Sequence, residues 1–361
     1  MKVLVLIGGG RSGIDLFQSL LDGHPQIMQF PHHFHFNEFW KKVKHFKEPS
    51  KILSIFISDN KKCFDSRINK VERHDQLGEN KNEHYSVDEN TFKLHFLEVF
   101  NRLEFNSYNL LYSLHAAYSL SLNEDINKKK LIVLHLHHIS KLFDLEKIDF
   151  EILYTIRDPL SSISSFINHW GSFEDGKNLV PYSYFFYINR TFNGLKSCLN
   201  SKFKTHVIKF EDLHQRNEAV MRSFCKEFDL KFFPLLTKST FMGLKWWGDV
   251  YSKKFLNGIN KNYKSNYDPE IFHERDIALI EFYLRDFISH YRYPVRATQK
   301  NSKINKFLLL KSELLVLKSL IKNSLIKHIF YYFIYLIKRM IILNKNNFKN
   351  LKLPNNLGKD T

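Results

Sequence analysis

The order of apolar and polar positions divides the chain into short buried runs separated by longer stretches of helical period. Val3 to Ile7 is apolar and rich in branched side chains, which predicts a strand buried in a parallel sheet. After Gly8, Gly9 and Gly10 the period changes: Ile14, Leu16, Phe17, Leu20 and Leu21 recur at helical spacing. Gln26 to Phe30, closed by Pro31, predicts a second strand, and Leu131 to Leu136, Glu151 to Ile156 and Thr205 to Lys209 predict three more. From about Lys41 to Lys130 the apolar positions are mostly helical in spacing, interrupted by a polar stretch around Arg67 to Glu83. Tyr182 to Asn200 and Asp268 to Tyr291 read as further helices. Strands that alternate with helical stretches predict an α/β fold: three α/β/α layers around a central, mainly parallel sheet. The insertion at 41–130 is then expected to cover the carboxyl ends of the strands, where α/β folds bind ligands.

The charge divides the chain in two. Over 361 residues the formal charge is +17, yet residues 296–361 hold 14 Lys and Arg against 2 Asp and Glu, and residues 1–295 hold 40 against 35. Basicity belongs to the tail, so nucleic acid is not expected as a partner of the main domain, 1–295. Ile304 to Leu343 is strongly apolar and predicts helix, with Lys311, Lys318 and Lys322 close together on a helical wheel. Two readings stay open for 296–361: an extension that docks on an anionic membrane surface, or two helices packed on the main domain. Cys63, Cys198 and Cys225 are far apart and form no C-x-x-C pair, so they read as reduced thiols. The first apolar run is only five residues long and leads into the glycine turn, unlike a leader peptide. Together these features set the expectation of a cytoplasmic protein, peripheral on the cytoplasmic membrane face if the tail docks there.

Two stretches carry candidate chemistry. The first strand, its glycine turn and the following helix can aim unpaired N–H groups at an anion, and Arg11 sets a guanidinium beside them. The turn is not a nucleoside-triphosphate loop, because Gly13 is followed by Ile14 where such a loop requires lysine. The second stretch follows the strand Glu151 to Ile156: Arg157-Asp158-Pro159 opens a helix bearing Ser161, Ser162, Ser164 and Ser165. The bland reading there is an Arg-Asp pair that caps the helix. Two anion sites in one sheet favour a ligand with two phosphates. His32, His33 and His35 suggest a metal, but no acidic residue or cysteine lies at ligand spacing in the sequence, and no metal is expected. His135 and His137 alternate at the end of a strand, so they share one side of it.

Gly10-Arg11-Ser12-Gly13 followed by Leu20-Leu21-Asp22-x-His24-Pro25 resembles the 5′-phosphosulfate loop of the PAPS-dependent sulfotransferases of bacterial type, where PAPS is 3′-phosphoadenosine 5′-phosphosulfate. Arg157-Asp158-Pro159 with Ser165 resembles the same family's 3′-phosphate motif, and Phe210-Glu211-Asp212-Leu213 resembles its Tyr-Glu-Asp-Leu near the adenine. Lys245 to Asp249 loosely resembles a late Gly-Asp-Trp segment. The resemblance spans roughly Met1 to Tyr293. It implies a P-loop-like sulfotransferase fold and transfer of a sulfuryl group from PAPS, leaving PAP, to a hydroxyl or amine of an unidentified acceptor, such as a glycan or lipid-linked sugar. It also implies a catalytic Arg11, donor contacts from Gly10, Arg11, Ser12, Gly13, Arg157, Ser165 and Phe210, and His137 as the base, with His138 its substitute if the register shifts by one. The chain departs from the family at Ile14 and Asp15, where hydroxyl residues are usual, and a carboxylate beside an anion weakens binding unless it is paired. The alternatives are a P-loop-type nucleotide kinase and a non-catalytic membrane-docked module that keeps the fold.

Overall fold

The computed structural model describes residues 1–46, 48–136, 148–170, 193–250, 255–298, 309–322, 326–344 and 351–358. Five strands, β1 (Lys2–Gly8), β2 (Ile27–Gln29), β3 (Leu131–His135), β4 (Glu151–Ile156) and β5 (Thr205–Lys209), form one sheet in the order β2-β3-β1-β4-β5. Every pairing in it is parallel. The expected strands are all present, with β2 and β3 shorter at their ends than the apolar runs suggest.

β1 lies at the centre, and its side chains alternate between two cores. Val3, Val5 and Ile7 enter one apolar cluster, Leu4 and Leu6 the other. The second cluster is filled by the helix α1 (Ile14–Leu20) and by Asn217–Glu227, with Phe17 meeting Phe224 edge to face at 5.3 Å. The first is filled by the insertion. Its helices Pro49–Asp59, Glu89–Phe100 and Ser107–Ser121 bring Phe56, Phe92, Phe96 and Tyr118 against the Val face. Most of the insertion is therefore a structural layer of the α/β/α sandwich. The part that reaches the carboxyl end of the sheet is the polar stretch, tied there by the indoles of Trp246 and Trp247, which donate to the carbonyls of Glu72 and Gly78 at 2.7 Å each.

The stretch read as one helix from Asp268 to Tyr291 forms two, Glu274–Tyr283 and Arg285–His290. The first is capped by His273 and Asp276. The helix expected at Tyr182 to Asn200 is described only from residue 193, and is helical over 193–199.

The tail forms two helices, Lys311–Lys322 and Ile326–Asn344, that pack on each other and, through Leu310 and Tyr332, on the first core. Arg339 and Glu313 form an ion pair of 2.7 Å with both side chains almost wholly buried. Beyond them, Asn356 bridges Val207 in parallel and the Leu357 N–H donates to the Val207 carbonyl at 2.8 Å, which covers the free edge of β5. No helix among the described residues is long and apolar enough to cross a membrane.

Truncating one partner of a buried ion pair leaves the other charge desolvated and uncompensated. Arg339→Ala is expected to destabilise the protein by about 3–5 kcal/mol. A chemical-denaturation midpoint unchanged from the parent would show that this pair adds nothing to stability.

Candidate functional site

The parallel register pairs Gly8 of β1 with Thr155 of β4, so the loops that leave both strands start side by side. Gly8 has no room for a side chain, since a Cβ there would lie 2.5 Å from Thr155 Oγ1 and 2.7 Å from Ser12 Oγ. Ser12 closes the first loop on itself. Its N–H donates to the Gly9 carbonyl at 3.1 Å, its hydroxyl also bonds that carbonyl, and the same hydroxyl lies 2.8 Å from Thr155 Oγ1. Arg11 and Gly13 both take left-handed backbone angles, with φ of 61° and 85°. At Gly13 the reason is close approach as well: a Cβ would lie 2.1 Å from the Phe210 ring.

Arg11 and Arg157 meet at the top of these two strands. Arg157 donates to the Arg11 carbonyl at 3.2 Å and to the Tyr263 hydroxyl at 2.9 Å. Its guanidinium also lies over the Phe210 ring, 4.6 Å from the centroid. Arg11 Nε donates to Ser165 Oγ at 3.3 Å, and its guanidinium pairs with Asp249 at 2.5 Å. A cavity of about 330 Å³ opens among these groups, lined by Arg11, Gly13, Asp15, Arg157, Ser165 and Phe210, with Ser12 and Asp249 also on its wall. That volume is at the lower end of the range typical of ligand pockets. Gly10 stands just behind it, its carbonyl accepting from Ser162 Oγ at 3.2 Å.

The two residues after Arg157 do structural work. Asp158 caps the helix Pro159–Trp170, accepting from the Ser161 N–H at 2.9 Å, and its partner cation is Arg296 at 2.9 Å. Arg157 is thus left to the cavity while an arginine of the distant chain neutralises Asp158. Phe210 carries no phenol, but Tyr263 brings one into the same place. Tyr263 packs edge-on to Phe210 at 5.2 Å, stacks on His214 at 4.9 Å and binds Arg157. Burial and the neighbouring Arg157 push His214 down to about 4, so this ring is a neutral platform near neutral pH.

Asp15 faces the same cavity with 31% of its side chain accessible, its carboxylate 3.9 Å from His135 Nδ1. Desolvation, then the negative charges of Glu72 and Asp249, raise its carboxyl to about 7 against the pull of Arg11. The departure at this position is therefore softened, because the raised value shifts the group towards its neutral form. His135 is buried in β3 and bonded through Nδ1 to Gln18 Oε1 at 2.7 Å. His137 and His138 lie outside the described residues. Of the expected site residues, Arg11, Ser12, Gly13, Arg157, Ser165 and Phe210 share one cavity. Asp249 joins them on its wall, and Tyr263 reaches them through Arg157 and Phe210. The first had only a loose motif to mark it, and the second no sequence signal at all.

The sequence model of the sulfotransferase family matches residues 4–234. No curated protein matches the chain. Among solved structures, the sulfotransferase domain from the curacin biosynthetic pathway aligns at 16% identity over 90% of this chain and 97% of its own, with a TM-score of 0.39. The sulfotransferase domain of the Synechococcus PCC 7002 olefin synthase aligns at 12% identity over 66% and 77%, with a TM-score of 0.36.

A carboxyl whose folded value is raised favours folding only while it is protonated. The unfolded chain ionises Asp15 near pH 4 and the folded chain near 7, so stability is lost across that interval as pH rises and stays low above it. Asp15→Asn is expected to gain roughly 1–2 kcal/mol over the parent at about pH 8, after discounting for its exposure, and nothing at about pH 3. Thermal melts at both pH values measure this, and a gain that does not depend on pH would refute the raised carboxyl.

Proposed function

The chain belongs to the sulfotransferase family, and on that premise we propose that it moves a sulfuryl group from PAPS to a hydroxyl or amine of an acceptor. The observation that carries this reading is the convergence of Arg11, Arg157 and Ser165 on one cavity from two adjacent βα units. The acceptor O–H or N–H gives up its proton, its oxygen or nitrogen bonds to sulfur, and the bond from sulfur to the 5′-phosphate oxygen breaks to release PAP. Little covalent work falls to the protein in such a transfer; it must align the reactants and neutralise charge on the departing phosphate. Arg11 and the loop N–H groups meet that charge, and Asp249 yields its place on Arg11 to the donor oxygens. Arg157 and Ser165 hold the 3′-phosphate, Phe210 and Tyr263 flank the adenine, and His137 takes the acceptor proton. A nucleotide kinase is disfavoured by the missing lysine after Gly13.

A second reading concerns location and stands on its own observation. Phe330, Phe333, Ile337 and Ile341 are 66%, 57%, 61% and 52% exposed on the helix Ile326–Asn344. Their spacing puts them on one face, in the segment that holds most of the net charge. We propose that this face inserts shallowly into an anionic membrane while Tyr332 packs on the first core and Arg339 ties the helix to Lys311–Lys322.

PAP is expected to bind at micromolar concentration, about −8 kcal/mol, without magnesium and well ahead of AMP. Arg157→Ala should erase most of that preference, and calorimetry showing equal binding of PAP and AMP by the parent would end the 3′-phosphate assignment. On the same samples, His137→Ala should keep PAP affinity while turnover, once an acceptor is found, falls by roughly 10²- to 10⁴-fold. For the membrane face, full-length protein should sediment with anionic vesicles in a salt-sensitive way. The double variant Phe333→Glu and Ile337→Glu should stay in the supernatant with an unchanged melt, and equal sedimentation of the two would discard the docking face.

A further inference from the structure

Beside the donor cavity, the loop after β2 and the polar stretch of the insertion bring three ligating side chains together. His32 Nδ1 lies 3.2 Å from Glu72 Oε2, and His33 Nδ1 lies 3.6 Å from Glu72 Oε1. One donor atom from each of the three falls within 4.8 Å of the others. Measured to different oxygens of Glu72, each separation is close to the edge of a tetrahedron, about 3.4 Å, whose nitrogen and oxygen ligands lie about 2.0–2.1 Å from a central zinc. The carboxylate is itself held in place, as ligating carboxylates usually are. Asn69 Nδ2 donates to Glu72 Oε2 at 2.9 Å, and Trp246 Nε1 donates to the Glu72 backbone carbonyl at 2.7 Å. A third imidazole points at the same carboxylate. His74 is fully buried, and its Nε2 has no hydrogen-bond partner among the described residues and sits 3.8 Å from Glu72 Oε2.

The other cluster of this kind shows what a site without a place for a cation looks like. Glu151, His206 and Glu227 also converge, but Lys2 and Lys204 lie 3.9 and 3.8 Å from Glu151, and Lys204 lies 2.5 Å from Glu227. Ammonium groups already neutralise that cluster, and an arriving cation would meet them.

We propose that His32, His33 and Glu72 bind a divalent first-row transition ion, zinc in the first instance. Two imidazoles and a carboxylate suit such an ion and leave a position for water or for an oxygen of the acceptor. The site is one residue removed from the donor cavity. The His33 ring faces that of His135 at 6.3 Å, and His135 Nδ1 lies 3.9 Å from the Asp15 carboxylate on the cavity wall. None of its three ligands is a donor-binding residue, so the metal site and the sulfuryl-transfer reading stand or fall separately.

The test uses full-length protein stripped with a chelator and desalted. Zinc is titrated by calorimetry, and cobalt is followed by its visible d–d absorption. The parent should take up one equivalent of zinc, melt higher with it, and give a cobalt spectrum of low coordination number. Glu72→Gln, which keeps the volume of the side chain, and His33→Ala should each weaken zinc at least about tenfold and lose the cobalt band. His45→Ala, on an exposed residue outside both sites, should match the parent. A parent with neither saturable zinc uptake nor a cobalt band overturns the proposal even if a variant fails to fold, and so do variants that bind zinc like the parent. PAP binding measured on the same samples keeps a failed metal site distinct from a failed donor site.

Discussion

The constraint on which this molecule depends is the parallel pairing of β1 with β4. Because Gly8 stands opposite Thr155, the two chains leave the sheet at the same height, and the residues three and two positions further on are the two arginines. Two guanidinium groups would not approach each other unaided. They are brought together by backbone hydrogen bonds they do not make, and the cost is met locally: Arg157 bonds the carbonyl of Arg11 while Asp249 takes the charge of Arg11. A site that binds anions through paired cations needs such an imposed geometry, since flexible cations would relax apart.

The groups around this junction pack closely against it. Gly8 allows Ser12 and Thr155 to touch, and Gly13 allows Phe210 to lie against the loop. Asp158 and Glu211 are buried beside the junction and are linked through the Asp158 N–H at 2.9 Å. Burial raises Glu211, while Arg296 sits on Asp158, so the negative charge under the arginines is limited and positioned. Arg296 is the first residue of the basic tail, which thereby contributes to the support of the site as well as to the cover over β5.

The neighbouring cluster is built differently, from loops rather than strand ends. The turn after β2 and the polar stretch within the insertion place three imidazoles around Glu72, and Asp15, at the start of α1, lies 3.9 Å from His135 with a carboxyl raised to about 7. The cavity at the ends of β1 and β4 is thus cationic and set by the sheet, whereas the cluster beside it is rich in histidine and carboxylate and set by tertiary packing.

Local sequence determined the strands, the glycine turn, α1, and the two stretches that carry Arg11 and Arg157. Those features depend on period, on glycine and proline chemistry and on residues a few positions apart, so they are written in consecutive residues. The same locality explains the errors. The helix expected from Asp268 to Tyr291 breaks near Leu284, and most of the insertion, expected as a cover, supplies a core layer because its phenylalanines find the Val face of β1, only the polar stretch reaching the carboxyl end of the sheet. Tertiary structure alone decided that Asp249 pairs with Arg11, that Tyr263 reaches Arg157, that Arg296 neutralises Asp158, and that Glu72 joins His32 and His33. In each case the partners are separated by tens to hundreds of positions, and nothing in the neighbourhood of either one encodes the other. Only the closing of the sheet and its two packed layers fixes the distances over which charge and hydrogen bonding act.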